Sequence, residues 1–184
     1  MMAAQVEMQK TNNSQVIALI VNSDQYAKSV ISEVDKLVNK EKLEGIYVTV
    51  NKPYASVSSS LESHEVSCKN IFFIDMVSGQ GAGIETMSKN CLCLPSQYSL
   101  TELSIGIGEA ISSMGGGKKF LLFDSVSTLM IYHKPDTVAK FIHFLAGKIR
   151  EWNVKAVLVM VEGSDADKAL LAHISQFVDE VVKA

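Results

Sequence analysis

The sequence predicts an α/β domain, a three-layer α/β/α sandwich with a mostly parallel sheet. Two observations carry this. Short apolar runs at 16–21, 46–50, 71–74, 120–124 and 156–161 alternate with segments of helical periodicity. Strands joined through helices need right-handed crossovers, which lay helices on both faces of one sheet. Polar or acidic residues then close the runs: Asn22, Asn51, Asp75, Asp124 and Glu162. In open sheets of this kind ligands bind outside that carboxyl edge.

Residues 1–14 are polar and lack the apolar stretch of a secretory signal, so they read as a disordered lead into a single domain over 15–184. The run 16–21 is apolar throughout, as befits a strand buried on both faces. Val30, Ile31, Val34, Leu37 and Val38 recur at helical spacing over 25–40, one face of a helix laid on the sheet. The β-branched run 46–50 is a second strand. Residues 54–63 form a helix with Val57 and Leu61 inward, and 71–74 is a third strand ending in Asp75. Ser78 to Gly83 is expected to be a mobile loop, since the spacing of its glycines is not that of a dinucleotide fingerprint.

Residues 91–94 make a short strand before Pro95. Ser99 with Glu102 predicts a capping box opening a helix that runs to Met114, where three glycines stop it. The strand 120–124 leads into a short helix or turn over 125–132. A long helix over 136–152 turns Val138, Phe141, Ile142, Leu145 and Ile149 inward. A strand at 156–161, a helix capped by Ser164 and running through His173, and a final edge strand at 177–182 complete the chain.

The stretch Asn22-Ser23-Asp24-Gln25-Tyr26-Ala27-Lys28-Ser29 joins the first strand to the first helix. It has the spacing of the phosphate-binding pattern G-x-x-x-x-G-K-[ST] and keeps Lys28-Ser29, but Asn22 and Ala27 replace both glycines. Glycine lets phosphate approach the backbone closely, and Ala27 adds a β-carbon at that place. Asp24 puts a negative charge where a polyanion would sit; like charges at ~4 Å and an effective dielectric of ~20 repel by roughly 4 kcal/mol. The plainer reading makes Lys28 and Ser29 surface residues of a first helical turn capped by Ser23 or Asp24, and it is preferred. Asp124, at the end of four apolar residues, has the position of a metal-holding acid, although strand-end acids are common.

The string KFLLFDSVSTLMIY, a long helix and then KAVLVMVEG resembles the KaiC/RecA-like ATPases of archaea and bacteria. The order and spacing extend over 16–182. The resemblance implies a RecA-like P-loop NTPase fold. In that family the metal-binding strand ends in Asp followed by Ser, as Asp124-Ser125 does here, and the next strand carries a sensor position. The second strand ends there in a catalytic glutamate, often a pair; this chain has Asn51-Lys52. The resemblance therefore implies a degenerate site with no catalytic residue. It points to an inactive domain serving as a regulatory or protein-interaction module in signalling, with another protein or a second copy as partner and no cofactor. Two alternatives stand beside it. One is a weak ATP/ADP-binding protein or ATPase using Asn22, Ser23, Lys28, Ser29 and Asp124, with magnesium at Asp124. The other is an oligomeric scaffold.

Composition bounds the rest. A formal net charge of −3 lacks the basic footprint of a nucleic-acid binder. No apolar run approaches the roughly 20 residues of a membrane span. Three cysteines without a signal predict a reduced, cytoplasmic protein. Cys91 and Cys93 share one face of their strand; a zinc site would need further ligands, for which His64 and Cys68 are the nearest cluster in sequence, and buried thiols are the expectation. Asp75 as a phosphoryl acceptor lacks the acidic pair and lysine of a receiver domain, and Asp124, Ser125 and His133 lack a nucleophile elbow. Leu129-Met130-Ile131-Tyr132 is apolar on all sides; any exposed part of it would mark an interface.

Overall fold

The computed structural model describes residues 15–79, 85–94 and 99–184. The lead over 1–14, most of the glycine excursion and Pro95 lie outside them. The elements run β1 (Gln15–Asn22), α1 (Tyr26–Asp35), β2 (Glu44–Thr49), α2 (Tyr54–Ser63), β3 (Ile71–Asp75), β4 (Glu85–Ser88), β5 (Cys91–Cys93), α3 (Leu100–Ser113), β6 (Lys119–Asp124), α4 (Val126–Leu129), α5 (Pro135–Trp152), β7 (Val154–Glu162), α6 (Asp165–Ile174) and β8 (Glu180–Lys183).

One eight-stranded sheet has the order β4-β5-β3-β2-β6-β7-β1-β8. Every pairing is parallel except β4 on β5. Alternation along β1 feeds two separate cores. Val16, Ala18 and Ile20 pack with the inward residues of α3, α5 and α6. Leu19 and Val21 pack on the opposite face with Val30 and Val34 of α1 and Val57 and Leu61 of α2. The expected three layers follow directly.

Several boundaries differ from expectation. The first helix gives way after Asp35 to a π-helical turn over Lys36–Lys40, which still buries Leu37 and Val38. The final strand starts at Glu180, because Phe177 and Val178 close the last turn of α6 through bonds from their amides to the Ile174 carbonyl and pack on the α3/α5/α6 core. It lies at the sheet edge beside β1, as expected. The capping box at α3 is half made: Ser99 accepts from the Glu102 amide at 3.1 Å, while Glu102 Oε2 is buried with no partner among the described residues. A complete box forms instead between Ser164 and Asp167. The polar four-residue β4 has no apolar alternation to announce it.

Gly45 explains how tightly β2 seats on β6. A β-carbon there would lie 2.4 Å from both the ring and the carbonyl oxygen of Phe120. No helix among the described residues is long and apolar enough to cross a membrane.

Candidate functional site

Asp124 ends β6 in the middle of the sheet, and its side chain turns to the α1/α2 side. It is 4% exposed. Tyr47, on the neighbouring β2, donates its hydroxyl to Asp124 Oδ2. Asp124 Oδ1 is buried and has no partner among the described residues. Burial raises the Asp124 carboxyl to about 7. Desolvation penalises the charged form, and among the described residues the Tyr47 hydroxyl is the one hydrogen-bond donor to the carboxyl.

A polar cluster forms beside it from three elements. Asn51, just after β2, donates through Nδ2 to Tyr26 Oη at 2.7 Å and more weakly to Ser125 Oγ at 3.5 Å. Thr128 donates to Asn51 Oδ1, and its hydroxyl lies 3.0 Å from Ser125 Oγ. Asn51 thus ties the first residue of α1 to α4. At the position where the resemblance places a glutamate, the structure has an amide engaged in holding helices together. The peptide bond Asp124–Ser125 is cis.

Asp124 lines a small pocket between α1 and α2, with about 370 Å³ of free space including its open mouth. Tyr26, Ala27, Tyr47 and Lys52 line it too, over an apolar wall of Val30, Ile31, Val57 and Leu61.

The segment from Asn22 to Ser29 is a single turn. The Gln25 amide donates to the Asn22 carbonyl at 3.1 Å, and α1 begins at the next residue. Neither Ser23 nor Asp24 caps the helix; Gln25 is the cap residue and its side chain makes no capping bond, which corrects the capping expectation. Asn22, Ser23 and Lys28 are exposed and Ser29 is half-buried. Lys28 and Ser29 line a different cleft, bounded by Gln25, Ser32, Glu33 and Val182 of β8. The residues grouped from sequence therefore divide: Lys28 and Ser29 face β8, and Asp124 faces α2.

Sequence reasoning gave Tyr47, Tyr26 and Thr128 no hydrogen-bonding part in the site. A signal existed for Tyr47. Tyr47 and Thr49 share a face of β2, and Thr49 pairs across to Asp124, so the phenol lies diagonal to the acid. Tyr26 and Thr128 meet Asn51 from segments 25 and 77 residues away, contacts that no local pattern encodes.

Asp75 ends β3 fully buried and accepts four hydrogen bonds. Oδ1 takes the amides of Val77 and Ser78 at 2.7 and 2.9 Å, and Oδ2 takes the Tyr54 amide and the Ser78 hydroxyl, both at 2.7 Å. It anchors the start of α2 and the chain leaving β3. Cys91 and Cys93 lie beside it on β5, and Cys93 is the direct cross-strand partner of Asp75. No disulfide forms. The Cys91 thiol is pushed up by burial, then by Cys93 and the Asp75 charge. Cys68 lies apart, its thiol pointing at the carbonyls of Ser58 and Val66, which removes the cluster with His64 suggested by sequence proximity.

Residues 34–184 match the model of a family described as a family of unknown function, DUF7504. No curated protein matches the sequence. Among solved structures, the chain is similar to the KaiC-like protein PH0186 from the hyperthermophilic archaeon Pyrococcus horikoshii OT3. The TM-score is 0.67 at 10% identity, over 92% of this chain and 70% of that one. The fold is RecA/KaiC-like, and identity that low carries the fold alone.

Proposed function

The chain belongs to the DUF7504 family, and from that premise we propose that it is a RecA/KaiC-like domain without ATP hydrolysis, serving as a regulatory or protein-interaction module. The observation that carries this reading is the turn after β1. A nucleotide site of this architecture needs successive amides wrapped around phosphates, with Lys and Ser beside a metal-holding acid. Here one hydrogen bond closes the turn, the helix starts at once, and Lys28 and Ser29 line a cleft that does not include Asp124. Asn51 is committed to Tyr26 and Thr128 and has no carboxylate to activate water.

Exposed apolar residues supply the other half of the reading. Ile131, just past α4 at the carboxyl edge, is 73% exposed, and Ile105 and Phe144 stand out from α3 and α5. Such residues suit contact with another protein or a second copy. Calorimetric titration of the full chain with Mg-ATP and with Mg-ADP tests the proposal. The expected result is no saturable heat up to millimolar nucleotide and no phosphate release above buffer. Micromolar binding with phosphate release would overturn it.

A second reading, a weak magnesium–nucleotide binder, draws on the unpartnered Oδ1 of Asp124. It requires that Mg-ATP raise the melting temperature and that Lys28→Ala and Asp124→Ala each abolish the rise. The same titration separates the two readings.

A further inference from the structure

We propose that Asp75, Cys91 and Cys93 form a binding site for one thiophilic divalent cation, of which zinc best fits the donor set. This inference stands on different residues from the regulatory reading and does not depend on it. The carboxylate of Asp75 and the two thiol sulfurs all lie within 4.8 Å of one another, and all three residues are buried. They come from two adjacent strands held in register, Asp75 opposite Cys93 and Phe73 opposite Cys91, so the sheet fixes their spacing. Zinc–sulfur bonds of about 2.3 Å and zinc–oxygen bonds of about 2.1 Å give tetrahedron edges of about 3.5–3.8 Å. The cluster needs to contract by about 1.3 Å at most to close on such an ion.

The surroundings of Asp75 suit a ligand carboxylate. Among the described residues no lysine or arginine pairs with it; its four partners are three amides and one hydroxyl. Carboxylates that ligate metals are held by just such outer donors. The amides of Tyr54, Val77 and Ser78 keep its orientation, and the Ser78 hydroxyl, on a rotatable bond, gives up its lone pair on Oδ2 to the ion. Each thiol passes its proton to solvent as its sulfur bonds the metal, so two protons leave per cation and no oxidation state changes. Two thiolates with one carboxylate select zinc over magnesium and calcium, which favour oxygen.

The test is titration of the reduced, metal-stripped full chain with Co²⁺, followed by displacement with Zn²⁺. The expected result is thiolate-to-cobalt charge-transfer absorption with intense tetrahedral d–d bands, saturating at one ion per chain, releasing two protons and lost on adding Zn²⁺. Cys68→Ser leaves those bands unchanged, which assigns them to Cys91 and Cys93 without disturbing either. Cys91→Ser and Cys93→Ser each weaken Co²⁺ binding at least tenfold while the far-ultraviolet circular dichroism holds. Absence of charge-transfer bands in the wild-type protein would overturn the proposal, as would their loss in Cys68→Ser alone. Should the Cys91 and Cys93 variants fail to fold, the wild-type and Cys68→Ser spectra still decide.

Discussion

Tyr47 and Asp124 make a pair whose energetics depend on pH. The carboxyl has a folded value of about 7 because burial disfavours its charge, and an unfolded value of about 3.9. Between those values the folded state binds the extra proton, so stability falls as pH rises through that window. Linkage with these two values gives a loss of about 2–3 kcal/mol between pH 5 and pH 8 from this residue. Asp124→Asn should flatten that slope, leaving stability at pH 5 little changed and raising it at pH 8; urea titrations at the two pH values read the difference directly. Asp179 works in the opposite sense: its carboxyl is held low, against its own partial desolvation, by the Val16 amide and Arg150, so its contribution is lost only as pH falls through the acid range. Tyr47→Phe keeps the ring packing on Phe73 but strips Asp124 of its donor. The expected cost is roughly 1–3 kcal/mol, larger at pH 8 than at pH 5, where the acid is neutral.

Elements here are fixed by contacts of very different legibility. The apolar strands and the period of α1, α2 and α5 were readable because each registers its own burial in its own residues: Tyr54–Ser63 and Pro135–Trp152 fall within a residue of the spans their patterns predict. β4 was not readable, because it gains its place by pairing with β5 and carries no apolar alternation. The Asn22–Gln25 turn was only half readable. Its spacing matched a phosphate loop, but whether a chain wraps or turns depends on backbone dihedrals, which Asn22 and Ala27 in place of glycine shift toward the turn. The split between Lys28 and Asp124 was invisible, since it depends on which flank of α1 each lines. Two substitutions test how elements are held. Gly45→Ala forces a β-carbon into the Phe120 backbone and ring and should cost about 3 kcal/mol or more, measured by chemical denaturation, because the carbonyl cannot rotate aside. Ser164→Ala removes the cap of α6 and should cost about 1 kcal/mol by the same measurement.

At the scale of the whole molecule, the strand order makes the first strand an interior one. β1 lies between β7, on which it pairs along its full length, and β8, which covers Ile17 to Ile20. Those four residues are almost wholly buried, so β1 behaves as a central strand only while β8 is in place. The closure has further fastenings. Asp179 Oδ2 accepts from the Val16 amide at 2.7 Å, the Asp179 amide donates to the Val16 carbonyl at 2.7 Å, and Arg150 of α5 pairs with Asp179 Oδ1 at 2.9 Å. Lys183 reaches Glu162 at the end of β7 at 3.0 Å, spanning β1 from one neighbour to the other. β8 itself is a poor template for another chain: it is short, and charged residues stand at both its ends. β1 has none of those defences, being apolar from Val16 to Val21. Removing residues 179–184 should therefore do two things at once. It unpairs one flank of β1 and leaves the Val16 backbone groups without partners, lowering the melting temperature by several degrees. It also exposes a flat apolar edge that pairs with its like, so light scattering should detect association in the truncated chain at concentrations where the full chain shows none. If the truncated chain melts at the wild-type temperature and scatters no more than the full chain, β8 is an appendage and the sheet ends, energetically, at β1.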